Sequence, residues 1–141
     1  MPKKNWIGGI YLKNEGGYII ILKCLIHYKK RLQTIHASPE LKEAAAMFAP
    51  VLQSQAKKRI PMIDNVKEQI EKFLLNLTKS KVLEEKVEII EKALECRKSD
   101  IEKAETTPDE YFTKLIGDVQ ESKKDLESIK NALTKIKEYS D

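Results

Sequence analysis

The sequence predicts an all-α protein, a four- to five-helix bundle with a long antiparallel C-terminal helical hairpin of coiled-coil character and a short N-terminal arm. Three observations carry this reading. Apolar residues recur in steps of three and four along most of the chain, the period of a helix face rather than of a strand. Glycine and proline are scarce, five of each in 141 residues, and four of the glycines fall within the first 17 positions. The composition, 41% hydrophobic and 34% charged, suits a folded domain and is too apolar for a disordered chain. A length of 141 residues fits one domain, so residues 1–17 are read as an arm or short strand and 18–141 as a single helical unit.

The arm is set by Gly8-Gly9 and Gly16-Gly17, which bracket the β-favouring stretch Ile10-Tyr11-Leu12. After Gly17 the helical period takes over. Tyr18, Ile21, Leu25, Tyr28, Leu32 and Ile35 step by three and four, and Ile19, Leu22 and Ile26 widen the stripe, which predicts a first helix over 18–36 buried on more than one side. Ser38-Pro39-Glu40 offers a hydroxyl cap, a proline at the first helical position and an acid at the positive end of the dipole, so a second helix is expected over 39–59. Its apolar face, Leu41, Ala45, Phe48 and Leu52, is expected to kink at Pro50 and to close at Lys57-Lys58-Arg59 before Pro61.

Ile63, Val66, Ile70, Phe73 and Leu77 mark a third helix, over 63–79. Leu83, Val87, Ile90, Leu94 and Ile101 mark a fourth, over 82–105, in a stripe that skips Arg97. No glycine or proline separates these two, so one bent helix is the alternative. Thr107-Pro108-Asp109-Glu110 then has the form of a capping box, in which hydroxyl and carboxylate satisfy each other's backbone amides. Phe112, Leu115, Val119, Ser122, Leu126, Ile129, Leu133 and Ile136 keep the three-four step, which predicts a last helix over 108–139, a rod of about 48 Å at 1.5 Å per residue.

Charge is distributed unevenly. The first 60 residues carry 11 Lys and Arg against 3 Asp and Glu, and the remaining 81 carry 15 against 19. A basic half can meet the phosphates of a nucleic acid, or it can dock on an acidic half in the same chain or in a neighbour. Lys3, Lys4 and Trp6, then Lys29, Lys30 and Arg31, then Lys57, Lys58 and Arg59 are the candidate anion- or nucleic-acid-binding residues, the lysines and arginines for phosphate and the aromatic for stacking. The second and third triplets also sit where helices end, and cations there complement the helix dipole. No helix-turn-helix, zinc-finger or RNA-recognition signature accompanies them, so weak sequence selectivity is expected.

Chemistry is harder to find in the pattern. Cys24 and His27, three apart on the first helix, share a face, but two ligands do not make a metal site. Neither histidine follows a glutamate by three positions, as a di-iron bundle requires. The sequence thus yields no catalytic residues, no metal ligands and no cofactor. Two cysteines 72 positions apart read as reduced thiols of a cytoplasmic protein, and the apolar run Tyr18 to Leu22 ends at Lys23, far short of a membrane span or of a secretion signal. The expectation for function is a non-enzymatic interaction or scaffold protein that pairs with a second copy or another helical protein. The candidate seam is Phe112, Leu115, Val119, Leu126, Ile129, Leu133 and Ile136. The alternative is a nucleic-acid-binding protein using the basic half.

Overall fold

The computed structural model describes residues 15–35, 48–75, 86–106 and 110–140. Among them the secondary structure is helical, in the elements α1 (Gly17–Gln33), α2 (Ala49–Leu74), α3 (Val87–Thr106), α4 (Glu110–Ile116), α5 (Val119–Ser122) and α6 (Lys124–Ser140). The arm with Lys3, Lys4 and Trp6, the Ser38-Pro39 start, the slip between Leu77 and Leu83 and the Thr107-Pro108 half of the capping box lie outside the described residues.

Helix α1 begins where Gly16 turns left-handed, at φ 76°, and accepts the Ile19 amide at 3.0 Å. A side chain at that φ is strained, so the second glycine pair sets the helix start. At the other end the Thr34 hydroxyl donates to the Lys30 carbonyl at 2.8 Å, satisfying one of the orphan acceptors of the last turn. The helix packs on α2, α3 and α6. Its inward face consists of Ile20, Ile21, Cys24, Leu25 and Tyr28, with two polar members, His27 and Arg31.

Helix α2 departs from the expectation of separate helices over 39–59 and 63–79. It runs unbroken through Pro61, while Pro50 stands in its first turn and not at a kink. The reason lies in phase. Leu52, Ala56, Arg59, Ile63, Val66, Ile70 and Phe73 step by four and three without interruption across Pro61, so one continuous helix keeps the whole stripe on the core. Pro61 falls on the exposed face, where its ring meets solvent and the carbonyl it leaves unbonded can be hydrated.

The last helix is likewise not the single rod expected over 108–139. Gly117 adopts φ 81°, α4 ends there, and Asp118 caps α5 by accepting the Glu121 amide at 3.1 Å. Lys123 then separates α5 from α6. The heptad phase survives these breaks. Phe112, Ile129 and Ile136 are buried, and Leu115, Val119, Leu126 and Leu133 are half-buried. Ser122, the polar member of the stripe, is buried with its hydroxyl directed at the Ile116 carbonyl, 3.4 Å away.

The core is rich in isoleucine. Ile21 and Leu25 of α1, Ile63 and Ile70 of α2, Ile90, Leu94 and Ile101 of α3, and Ile129 and Ile136 of α6 are its largest fully buried side chains. Each contributes about 1.5–3 kcal/mol of transfer free energy relative to exposure. Helix α3 touches every other element, meeting α1, α2, α4, α5 and α6, and so carries the groups around which the polar interior is organised.

Candidate functional site

Two of the seven buried positions of α3 are ionic, Arg97 and Asp100. Arg97 is the residue the apolar stripe skipped, and it keeps the three-four step from Leu94 to Ile101. Both project between α1 and the C-terminal helices, and His27 of α1 stands between them. Its Nε2 lies 2.8 Å from Asp100 Oδ2 and its Nδ1 3.2 Å from Arg97 Nη1. A carboxylate accepts and a guanidinium donates, so the partners fix the tautomer: Nε2 carries the proton, Nδ1 is bare, and the ring is neutral. Burial lowers the His27 pKa below 6.5; the Asp100 carboxylate opposes this, and Arg97 and Arg31 add to it.

Each buried ion has a counter-ion. Asp100 Oδ2 also accepts Arg31 Nε at 3.1 Å, and Cys96 Sγ approaches it at 3.6 Å. Arg97 reaches Asp125 of α6 through Nε at 3.1 Å and Nη2 at 2.8 Å, and Lys23 joins the same carboxylate oxygen at 2.8 Å. Partial burial pushes the Asp125 carboxyl up, but the bonds from Lys23 and Arg97 outweigh it and hold the pKa below 3.8. Arg31 continues toward α4, with Nη1 3.4 Å from the Tyr111 hydroxyl, which sits 2.8 Å from Thr34 Oγ1. Its guanidinium lies 5.2 Å from the Tyr111 ring centre and 5.6 Å from that of Phe112, within cation–π range. The result is a chain of polar contacts, Lys23, Asp125, Arg97, His27, Asp100, Arg31, Tyr111 and Thr34, joining α1, α3, α4 and α6.

This arrangement locks helices together and is poorly suited to chemistry. Both His27 nitrogens are committed, so the ring has no lone pair left to activate a nucleophile. His27, Cys96 and Asp100 offer three metal-ligating atoms within 4.8 Å of one another, but the donor set does not suit a cation. A metal on Nε2 would move the ring proton to Nδ1, opposite the Arg97 donor, and two guanidinium groups already border the cluster. Cys24 is not a member of this cluster. It is wholly buried, and burial pushes its thiol up to about 12, with Arg97 opposing.

Beside the network, a cavity of about 300 Å³ opens between α1, α2 and α3, bordered by Arg31, Arg59, Lys103, Ser99, Gln55 and Leu52 among others. Arg59 donates to the Tyr28 hydroxyl at 2.9 Å, and Lys103 Nζ stands 5.4 Å from the Phe112 ring centre. Comparison of the chain with family models, with curated proteins and with solved structures finds no match. The functional reading rests on the residues themselves.

The basic triplets are divided by the fold. Arg31 and Arg59 turn inward and meet at the cavity, while Lys29 pairs with Asp64 at 2.8 Å. Lys30, Lys57 and Lys58 are exposed. The seam side chains Phe112, Ile129 and Ile136 are committed to the chain's own core. His27, Arg97, Asp100, Asp125, Tyr111 and Lys103 were not singled out as a site by sequence. The one legible signal was Arg97, a charged residue in phase with an apolar stripe. The outward face of α1 supplies a different surface: Ile19 is 64% and Ile26 54% exposed, seven residues apart, with Lys23 and Lys30 on the same side and Leu22 half-buried beside them. Among the described residues no helix is long and apolar enough to cross a membrane.

Proposed function

We propose that this chain is a non-enzymatic helical interaction module that pairs with a second copy of itself through the outward face of α1, in the cytoplasm. The exposure of Ile19 and Ile26 on a helix whose opposite face is core is the observation that carries it. Large apolar side chains exposed opposite a helix's core face leave apolar surface that a partner can cover. A two-fold axis between positions 22 and 23 sets two copies of α1 antiparallel, with Ile19 level with Ile26 of the second copy and the exposed Lys30 level with its exposed Glu15. Lys23 would stand near its own mate, each held on the Asp125 carboxylate that it shares with Arg97. This moves the self-association surface from the C-terminal seam to α1.

Three apolar side chains per copy form a small contact, so the dimer is expected to dissociate on the order of micromolar rather than to be obligate. Light scattering after size exclusion tests this. The mass rises from 16.2 kDa toward twice that value at tens of micromolar, and Ile26→Glu, at an exposed position, stays monomeric. Weakly selective nucleic-acid binding is the alternative, favoured by exposed Lys30, Lys57 and Lys58. Duplex DNA retained by wild-type chain in a strongly salt-dependent manner, and released by Lys57→Gln with Lys58→Gln, supports that reading instead.

A further inference from the structure

We infer that each copy of the α1 pair seats the Lys30 ammonium of the other in the recess between its own α1 and α6, so that Ser128 and Asn131 of α6 belong to the dimer interface. The inference rests on the antiparallel pairing of α1 and extends that contact beyond one helix. The recess holds about 270 Å³ and is bordered by Glu15, Ile19 and Lys23 from the α1 side and by Asp125, Ser128 and Asn131 of α6. Gly16 and Gly17 also border it and bring no side chain to fill it. Ile19 belongs both to this wall and to the exposed apolar face of α1, so a copy that covers Ile19 also closes over the recess.

Symmetry brings Lys30 to this place. A two-fold axis that crosses α1 at right angles leaves α6 on the same flank of the pair in both copies. Lys23 borders the recess, and Lys30, seven residues on, leans toward the same flank. In the second copy that flank overlooks the recess at the level of Glu15. Charge is complementary there. Asp125 is already held by Lys23 and Arg97, both at 2.8 Å, whereas among the described residues no cation pairs with Glu15 and no carboxylate with Lys30. Glu15 is thus the charged acceptor, and the exposed Ser128 hydroxyl and Asn131 amide oxygen are neutral ones. The methylene stem of Lys30 lies along Ile19 of the other copy while its ammonium reaches these oxygens.

Sedimentation equilibrium of the full chain with a carboxylate added to the α6 wall tests the inference. Asn131→Asp is expected to tighten the dimer about fivefold, since two-fold symmetry applies one exposed ion pair twice. In the Lys30→Met background the same substitution is expected to tighten nothing, because its cation is gone. Lys130→Gln makes the same change of net charge on the exposed far side of α6 and is expected to leave the constant unchanged. A carbodiimide should also join Lys30 of one copy to Glu15 of the other, read as mixed-label peptides from a mixture of 14N and 15N chains. A dimer with equal constants in wild type and Asn131→Asp, tightening that persists in Lys30→Met, or equal tightening by Lys130→Gln overturns the recess contact and leaves the pairing of α1 standing. A chain that is monomeric at every concentration overturns both.

Discussion

His27 and Asp100, 73 positions apart in the chain, meet through Nε2 and Oδ2 at 2.8 Å in the interior. The contact couples α1 to α3 and fixes a neutral imidazole between an acceptor and the Arg97 donor. Removing the acceptor strands two donors at once. Asp100→Ala is therefore expected to destabilise the fold by about 3 kcal/mol or more, since it removes the buried carboxylate that His27 and Arg31 share. Urea unfolding of the variant beside wild type measures this directly.

The same contact sets a pH dependence. Burial holds the His27 pKa below 6.5 in the folded chain, so the unfolded chain binds the proton more readily. Stability is then complete above about pH 6.5 and falls as pH drops through and below that value. Asp125, held below 3.8, adds a further loss only as pH falls below 3.8. Unfolding free energies at about pH 7.5 and about pH 5.5 should differ for wild type and converge for His27→Gln, which has no proton to gain.

Thiol reactivity should separate the two cysteines. Cys24 is fully buried with its thiol pushed up to about 12, whereas Cys96 is half-buried at the cavity edge. Iodoacetamide is expected to modify Cys96 in the native protein and Cys24 only at the rate of unfolding. Peptide mapping by mass spectrometry over a time course reads both sites.

Two backbone positions give stability changes of opposite sign. Gly117, at φ 81°, loses about 1 kcal/mol on change to Ala, because the left-handed region disfavours a Cβ. Pro61 lies inside α2 on its exposed face. Pro61→Ala restores a helical hydrogen bond at the expense of a freer unfolded chain, for a net gain of about 2 kcal/mol. Thermal unfolding of the two variants checks both signs.

How much of this was legible in the sequence varied by element. The start of α1 followed from Gly16-Gly17, and its inward face from the three-four step. Pro61 misled because proline propensity is local, while the unbroken run from Leu52 to Phe73 is a tertiary preference that overrides it. The Gly117 turn was hidden for the converse reason, since the stripe from Phe112 to Ile136 keeps its phase on both sides of the break. Ionic pairing was the least legible. Nothing in sequence pairs His27 with Asp100 or Arg97 with Asp125, because those contacts join helices whose packing order the periodicity leaves open. For the same reason Arg31 and Arg59 read as surface charge, although the fold turns both inward.

Antiparallel pairing of α1 is tested most directly by exchanging the charges that the two-fold axis sets level. Sedimentation equilibrium on wild type, Lys30→Glu, Glu15→Lys and the double variant gives four dimer constants and one coupling. The account predicts that each single reversal weakens the dimer and that the double reversal restores it, because Lys30 of one copy faces Glu15 of the other. A chain that stays at 16.2 kDa at all concentrations, or four equal dimer constants, would contradict it.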